Sequence, residues 1–185
     1  MATQTRDPRE VCERIKCACE KCKSPCRHMP GALIPGDLER IAKHQGVEVT
    51  DEWVVANFLA SSGAKVLLRG EVTSVPSIVP EQKPDGSCIF LNAEGGCSIH
   101  GAAPFCCSYT AVCDKISERE ALRASRLGVN AQIEDLMADG EHTQKILLLL
   151  DAGKIADPIE FRRANFEADL KEVEYGQKAK DGSGA

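Results

Sequence analysis

Ten of the 185 residues are cysteines, and nine of them fall into two groups. The stretch CACEKCKSPCRHMPG holds Cys17, Cys19, Cys22 and Cys26, with Cys12 upstream. The second group is Cys88, Cys97, Cys106, Cys107 and Cys113. Thiolates are soft donors that suit zinc, copper(I) and iron–sulfur clusters. Cys19 and Cys22, two residues apart, let one turn present both sulfurs to one ion, and Cys26 is close enough to join them. Lys16, Lys21, Lys23 and Arg27 flank this group. Cations lower a thiol pKa and offset the charge that several thiolates concentrate around a metal. Cys12, beside Val11 and Ile15, reads instead as a small hydrophobe. His28 and His100 lie near the clusters, at the edge of a coordination shell or on the surface.

The thiol chemistry depends on the compartment. The N-terminus, MATQTRDPREVCERIK, lacks the apolar stretch of a secretory signal. The longest apolar run, around Ile146 to Leu150, falls far short of the ~20 residues that span a bilayer. A cytoplasmic protein is expected, whose thiols stay reduced and serve as metal ligands or redox groups rather than structural disulfides. The net charge of −5 and the single Trp and two Tyr disfavour nucleic acid, which is held by surplus Lys and Arg and by stacking aromatics. Membrane and nucleic acid are therefore not expected partners. A metal ion or cluster is, and a protein partner stays open.

Several cysteine motifs are excluded. The C-x2-C-x3-C order reverses the radical-SAM triad, and the repeated short spacing of bacterial ferredoxins is missing. One C-x2-C is not a zinc ribbon, and Cys19–Cys22 lacks the βαβ context of a thioredoxin. The stretch CIFLNAEGGCSIHGAAPFCC resembles the second half of the CxxCxxCC cysteine-cluster family (YkgJ-like), described as zinc- or iron-chelating. Cys88-Ile89-Phe90-Leu91, Cys97-Ser98-Ile99-His100 and Pro104-Phe105-Cys106-Cys107 carry the likeness, which covers roughly residues 17 to 113. Ala103 stands where the family has Arg, and the paired cysteine that ends the family's first cluster is absent. The resemblance implies Cys19, Cys22, Cys26, Cys88, Cys97 and Cys107 as ligands, with Cys17, Cys106 and Cys113 as additional thiols. The implied cofactor is iron, as an iron–sulfur cluster, or zinc.

The elements that position these groups read as follows. Asp7 caps a short helix with Pro8 in its first turn. PGDLERIAKHQG is a helix from Asp37 to Gln45, with Leu38, Ile41 and Ala42 as its apolar stripe and Gly46 as its stop. A helix opens after Thr50, buries Val54, Phe58 and Leu59, and ends at Gly63. From Lys65 to Gly101, β-branched residues, Pro and Gly predict short strands and turns, with Gly95-Gly96 between SCIFL and CSIH. Ser117 and Glu120 form a capping box. Leu122, Leu127, Ile133 and Leu136 follow as core contacts, and Gly128 is a candidate break. HTQKILLLLDAG is a helix ending near Gly153, and Asp157 caps a last one that buries Ile159, Phe166 and Leu170. His44 and His142 read as solvated helix residues. Arg119, Arg123 and Arg126 share a helical face, which interleaved glutamates make an ordinary solvated one. No internal repeat stands out.

The fold expected is mostly α (α+β), a helical domain with a small irregular β/turn segment tied together by a cysteine-rich metal site. Residues 1–115 form the cysteine-cluster domain, 116–176 a helical segment packed on it, and 177–185 a disordered tail. Metal binding is the leading function, through thiolates from two separated groups, for structure or metal handling. The alternatives are an iron–sulfur protein in electron transfer or as an enzyme accessory, and a metal-free thiol redox protein. No Ser-His-Asp pattern, phosphate loop or paired-carboxylate motif points to an enzyme.

Overall fold

The structure, a computed structural model, describes residues 7–156 except 17–18, 29, 69–70 and 112–114, and leaves the side chains of 20, 21, 25, 68, 71 and 73 undescribed. The elements run α1 (Pro8–Val11), α2 (Glu20–His28), α3 (Asp37–Gln45), α4 (Asp51–Asn57), β1 (Phe58–Leu68), β2 (Glu71–Pro80), a 3-10 turn (His100–Ala102), α5 (Phe105–Tyr109), α6 (Glu118–Met137) and α7 (Glu141–Asp151). The chain is mostly α, with one two-stranded antiparallel sheet.

Local chemistry sets most boundaries. The Asp7 carboxylate accepts from Arg9 N–H, and Pro8 takes the first helical position, where its missing donor costs nothing. Helix α3 stops where Gly46 turns to φ 71°, a left-handed conformation that suits glycine. The capping box is formed reciprocally by Ser117 and Glu120. Helix α6 then runs straight through Gly128 without a break. That glycine is needed for close approach: a Cβ there would lie 3.0 Å from the Phe105 ring and 3.3 Å from Ile34 Cγ2.

Two further expectations are corrected. The helix after Thr50 ends at Asn57, and Phe58 and Leu59 begin a strand. Phe58–Leu68 pairs with Glu71–Pro80 over almost its whole length, an extended register that a helix through Phe58 and Leu59 cannot supply. Of the first cysteine group, Cys22 and Cys26 lie on a helix, α2, and Cys19 just before it. Leu122 is 49% exposed, because Ala121 and Ala124 supply the packed face of α6 instead. The last helix expected after Asp157 falls outside the described residues.

The main core joins Leu38 and Ile41 of α3, Val54 of α4, Phe58 and Ile78 of the hairpin, and Leu136, Ile146 and Leu149 of α6 and α7. Each such side chain contributes about 1.5–3 kcal/mol when taken out of water. Phe90 and Ile99, from the loop carrying Cys88 and Cys97, belong to the same core. A smaller cluster gathers Ile34, Phe105, Tyr109 and Ala124, with Phe105 and Tyr109 stacked at 4.6 Å between centroids. The cysteine-bearing segments are thus anchored by apolar neighbours on both sides.

Candidate metal centre

Three segments converge on a cavity of about 300 Å³ whose lining includes Cys22, Cys26, Cys88, Cys97 and Cys107. Cys22 and Cys26 are four residues apart on α2 and share a helical face. Cys88 is brought to them by its own backbone, its N–H donating to the Cys26 carbonyl at 2.8 Å. Ile15, Pro30, Ile99 and Ala103 line the remainder, with Lys23 and His100 also at its wall.

The loop presenting Cys88 and Cys97 is a tandem repeat of nine residues, KPDGSCIFL followed by NAEGGCSIH. Gly86 N–H donates to Lys83 O, and Gly95 N–H to Asn92 O. Lys83 N–H donates to Ser87 O, and Asn92 N–H to Gly96 O. Both Gly86 (φ 82°) and Gly95 (φ 76°) take the left-handed conformation this turn requires. Leu91 N–H closes a turn onto Cys88 O, and His100 N–H does the same onto Cys97 O. Each sulfur also accepts a backbone N–H from two residues on: Phe90 for Cys88 and Ile99 for Cys97. Phe90 and Ile99 are buried, so the core holds the donors that aim at the sulfurs. The spacing of C-x-F and C-x-I follows from this geometry.

Cys107, on α5, is held by an unusually close neighbour. Gly31 N–H donates to its Sγ at 3.2 Å. A Cβ on Gly31 would lie 2.7 Å from both that sulfur and the Cys107 nitrogen, so no larger residue fits without displacement. Helix α5 is itself fixed by Asp37, which is fully buried. Its carboxylate accepts from Phe105 N–H at 2.8 Å, Ile34 N–H at 2.9 Å, Arg9 at 2.7 Å and Arg40 at 3.1 Å. Burial pushes the Asp37 carboxyl up against the pull of Arg9 and the two N–H groups. Burial equally disfavours the Arg9 cation, but Asp37 and Asp7 outweigh it and hold the guanidinium above its usual value. The four donors keep Asp37 acting as an acceptor, so it joins the segment before α3 to the start of α5.

Burial also dominates the thiols. Cys88 is pushed up to about 11, Cys97 and Cys26 are raised, and Cys107 is raised well above its ordinary value. After burial, the repulsion of neighbouring sulfurs adds: Cys26 acts on Cys88, Cys97 and Cys107. Lys83 beside Cys88 and Arg14 beside Cys97 pull the other way and lose. Basic neighbours therefore do not activate these thiols by themselves. They hold their protons at neutral pH.

The other cysteines are placed differently. Cys19 is exposed outside the cavity, with its sulfur 3.7 Å from that of Cys22. Cys106 points away from the cavity lining and packs with Cys12 against the Ile34–Phe105 cluster; burial pushes its thiol up to about 12. Cys17 and Cys113 lie outside the described residues. His28 is exposed. His142, read from sequence as solvated, is 5% exposed, because the first turn of α7 packs onto α6, where Asp135 accepts the His142 and Thr143 N–H groups. Among the described residues no three Cys, His, Asp or Glu side chains already meet at one ion. The donor set, the N–H groups aimed at three sulfurs and the cradle at Gly31 all fit a thiolate-bound metal. No helix among the described residues is long and apolar enough to cross a membrane.

A family model described as "Putative zinc- or iron-chelating domain" matches residues 18–125, more than half of the chain. Neither the curated proteins nor the solved structures searched contain a match.

Proposed function

The chain belongs to the CxxCxxCC family of metal-chelating domains, and from that premise we propose that Cys22, Cys26, Cys88, Cys97 and Cys107 form a thiolate centre for zinc or iron. The observation that carries this is their convergence, from segments over sixty residues apart, on one cavity wall. When bound, the metal supplies the positive charge that stabilises the thiolates and crosslinks these segments. The chain's own residues do the rest. Phe90, Ile99 and Gly31 orient three sulfurs through N–H donors, and Arg14, Lys23 and Lys83 offset the negative charge. The apolar wall excludes water. Cys19, outside and beside Cys22, gives an incoming ion a first thiol contact.

A second reading, an iron–sulfur cluster serving electron transfer or a partner enzyme, is favoured by one feature. Five thiols around about 300 Å³ exceed the four ligands of a single tetrahedral ion. Hydrogen bonds to the sulfurs are also a recognised control on cluster potential.

The test is anaerobic purification of the full chain without a chelating tag, with metal and sulfide analysis and an absorption spectrum on one sample. Zinc at whole-number stoichiometry without colour supports the mononuclear or structural centre. Iron with equimolar sulfide and broad visible absorption supports the cluster. In either case Cys97→Ser and Cys22→Ser lose metal and melt lower, whereas Cys12→Ser retains it. Metal-free protein from both aerobic and anaerobic preparations, or full metal content in both site variants, would refute the assignment.

A further inference from the structure

Beside α1, the first half of α6 borders a groove of about 1090 Å³ whose lining includes Val11, Leu122 and Leu127 and the cations Arg119, Arg123 and Arg126. It shares no lining residue with the thiol cavity. Leu122 is 49% exposed, and the three arginines around it are exposed too. No described carboxylate pairs with any of them. Glu120, the acid on the same wall, is engaged by the Ser117 N–H and hydroxyl at the start of α6. An apolar strip among cations, in a chain of net charge −5, suits an acidic amphipathic segment.

We propose that this groove receives residues 158–174 of the same chain as an amphipathic helix. Those residues lie outside the described ones, and their sequence supplies the complement. Ile159, Phe166, Leu170 and Val173 follow one another at spacings of seven, four and three, one face of a helix. Glu167, Asp169, Glu172 and Glu174 crowd its second half, against Lys171 alone, while Arg162 and Arg163 are confined to the first half. The path fits as well. Ala156, from which the segment departs, donates its N–H to Ala60 O at 2.8 Å, and Ile155 packs on the main core. Ile133 of α6 packs on that core too, and it shares a helical face with Leu122, three turns away. Three turns are about 16 Å, whereas a helix over 158–174 reaches about 26 Å. A segment running from Ala156 toward the start of α6 thus carries its acidic half to Arg119, Arg123 and Arg126. Phe166 and Leu170 then cover Leu122.

The test follows amide exchange across residues 158–174 in the full chain, at concentrations where sedimentation gives a monomer. Exchange there should be slowed about tenfold or more relative to an isolated peptide of the same sequence. Leu122→Asp, on an exposed side chain, should abolish this protection and leave that of α3 and the hairpin unchanged. Arg123→Glu combined with Arg126→Glu should reduce it, and adding Glu167→Lys and Glu174→Lys to that variant should restore it. Peptide-like exchange in the parent chain, protection that survives Leu122→Asp, or a charge swap that restores nothing would overturn the proposal. Protection that appears only as the chain dimerises would overturn it too, assigning the groove to a second copy. None of these variants touches the thiol cavity, so the two assignments fail separately.

Discussion

Replacing Gly31 by Ala is the sharpest probe of the thiol cavity, because one methyl group strikes one proposed ligand, Cys107. The added Cβ would sit 2.7 Å from Cys107 Sγ and from its backbone nitrogen, and 3.0 Å from the Cys106 carbonyl carbon. Comfortable non-bonded contacts begin at about 3.5 Å, so something must move by roughly 0.8 Å. Helix α5 resists as a unit, because Asp37 grips its first N–H at 2.8 Å. Metal–thiolate distances tolerate only about 0.2 Å, a quarter of that displacement. The overpacking should cost about 1–3 kcal/mol, which for a chain of this size lowers Tm by about 2–12 °C. Loss of the aligned Gly31 donor and of Cys107 position should weaken metal binding about 10–100-fold. Chelator competition measures the affinity, and calorimetry with and without metal separates the two effects. Overpacking lowers both melts, whereas misplacement of the ligand shrinks the gap between them. If the reasoning is right, Gly31→Ala adds little further affinity loss to Cys107→Ser, since both act on one sulfur. A Gly31→Ala protein that binds metal within twofold of the parent would refute the role assigned to this contact.

Two other outcomes follow from the same geometry. Asp37→Asn removes the charge from a fully buried carboxylate paired with Arg9, whose side chain is only 11% exposed. It should destabilise the fold by about 3–5 kcal/mol, with amide exchange at Phe105 accelerating before global unfolding; normal Phe105 protection would count against the anchoring role. The raised thiol pKa values fix the sign of a pH effect. Their protonated forms are favoured in the fold, so each ligand gives up a proton on binding and affinity falls as pH falls. Between pH 6.5 and 7.5, well below the value of about 11 for Cys88, each thiolate ligand contributes up to about tenfold per pH unit. A chelator-competition Kd that stays flat over this range would contradict thiol ligation.

Much of the scaffold could be read from residues that act locally. Asp7 with Pro8, Gly46 and the Ser117–Glu120 box each carry their effect within four positions, and each does in the structure what its chemistry requires. The site's framework is less local. The convergence of the two cysteine groups follows from tertiary packing, and only family likeness pointed to it. The tandem nine-residue repeat was visible as KPDGSCIFL and NAEGGCSIH, but two copies with few identities do not register as a repeat until the hydrogen bonds superimpose. Nothing local marks Asp37 as an anchor, because neither Arg9 nor Phe105 is near it in sequence. Gly128 looked like a helix breaker for the same reason, since the Phe105 ring that requires it comes from another element.

The hairpin has a consequence for how the protein behaves in concentrated solution. Its inner half is shielded on both edges, by Leu33 bridging to Ile78 on one side and Ile155 bridging to Ala60 on the other. Beyond the bulge at Ser61–Ala64, where Gly63 turns to φ 67°, no further strand borders the ribbon among the described residues. Leu67 and Val72 face each other across it, each 70% exposed. Unshielded edges with apolar side chains are templates for intermolecular strand pairing. Among the described side chains of this half, the exposed Lys65 opposes it, as does the extra twist of the bulge. Self-association of the folded chain should therefore begin edge to edge at this ribbon, and a second lysine at Val72 should raise the concentration at which it starts.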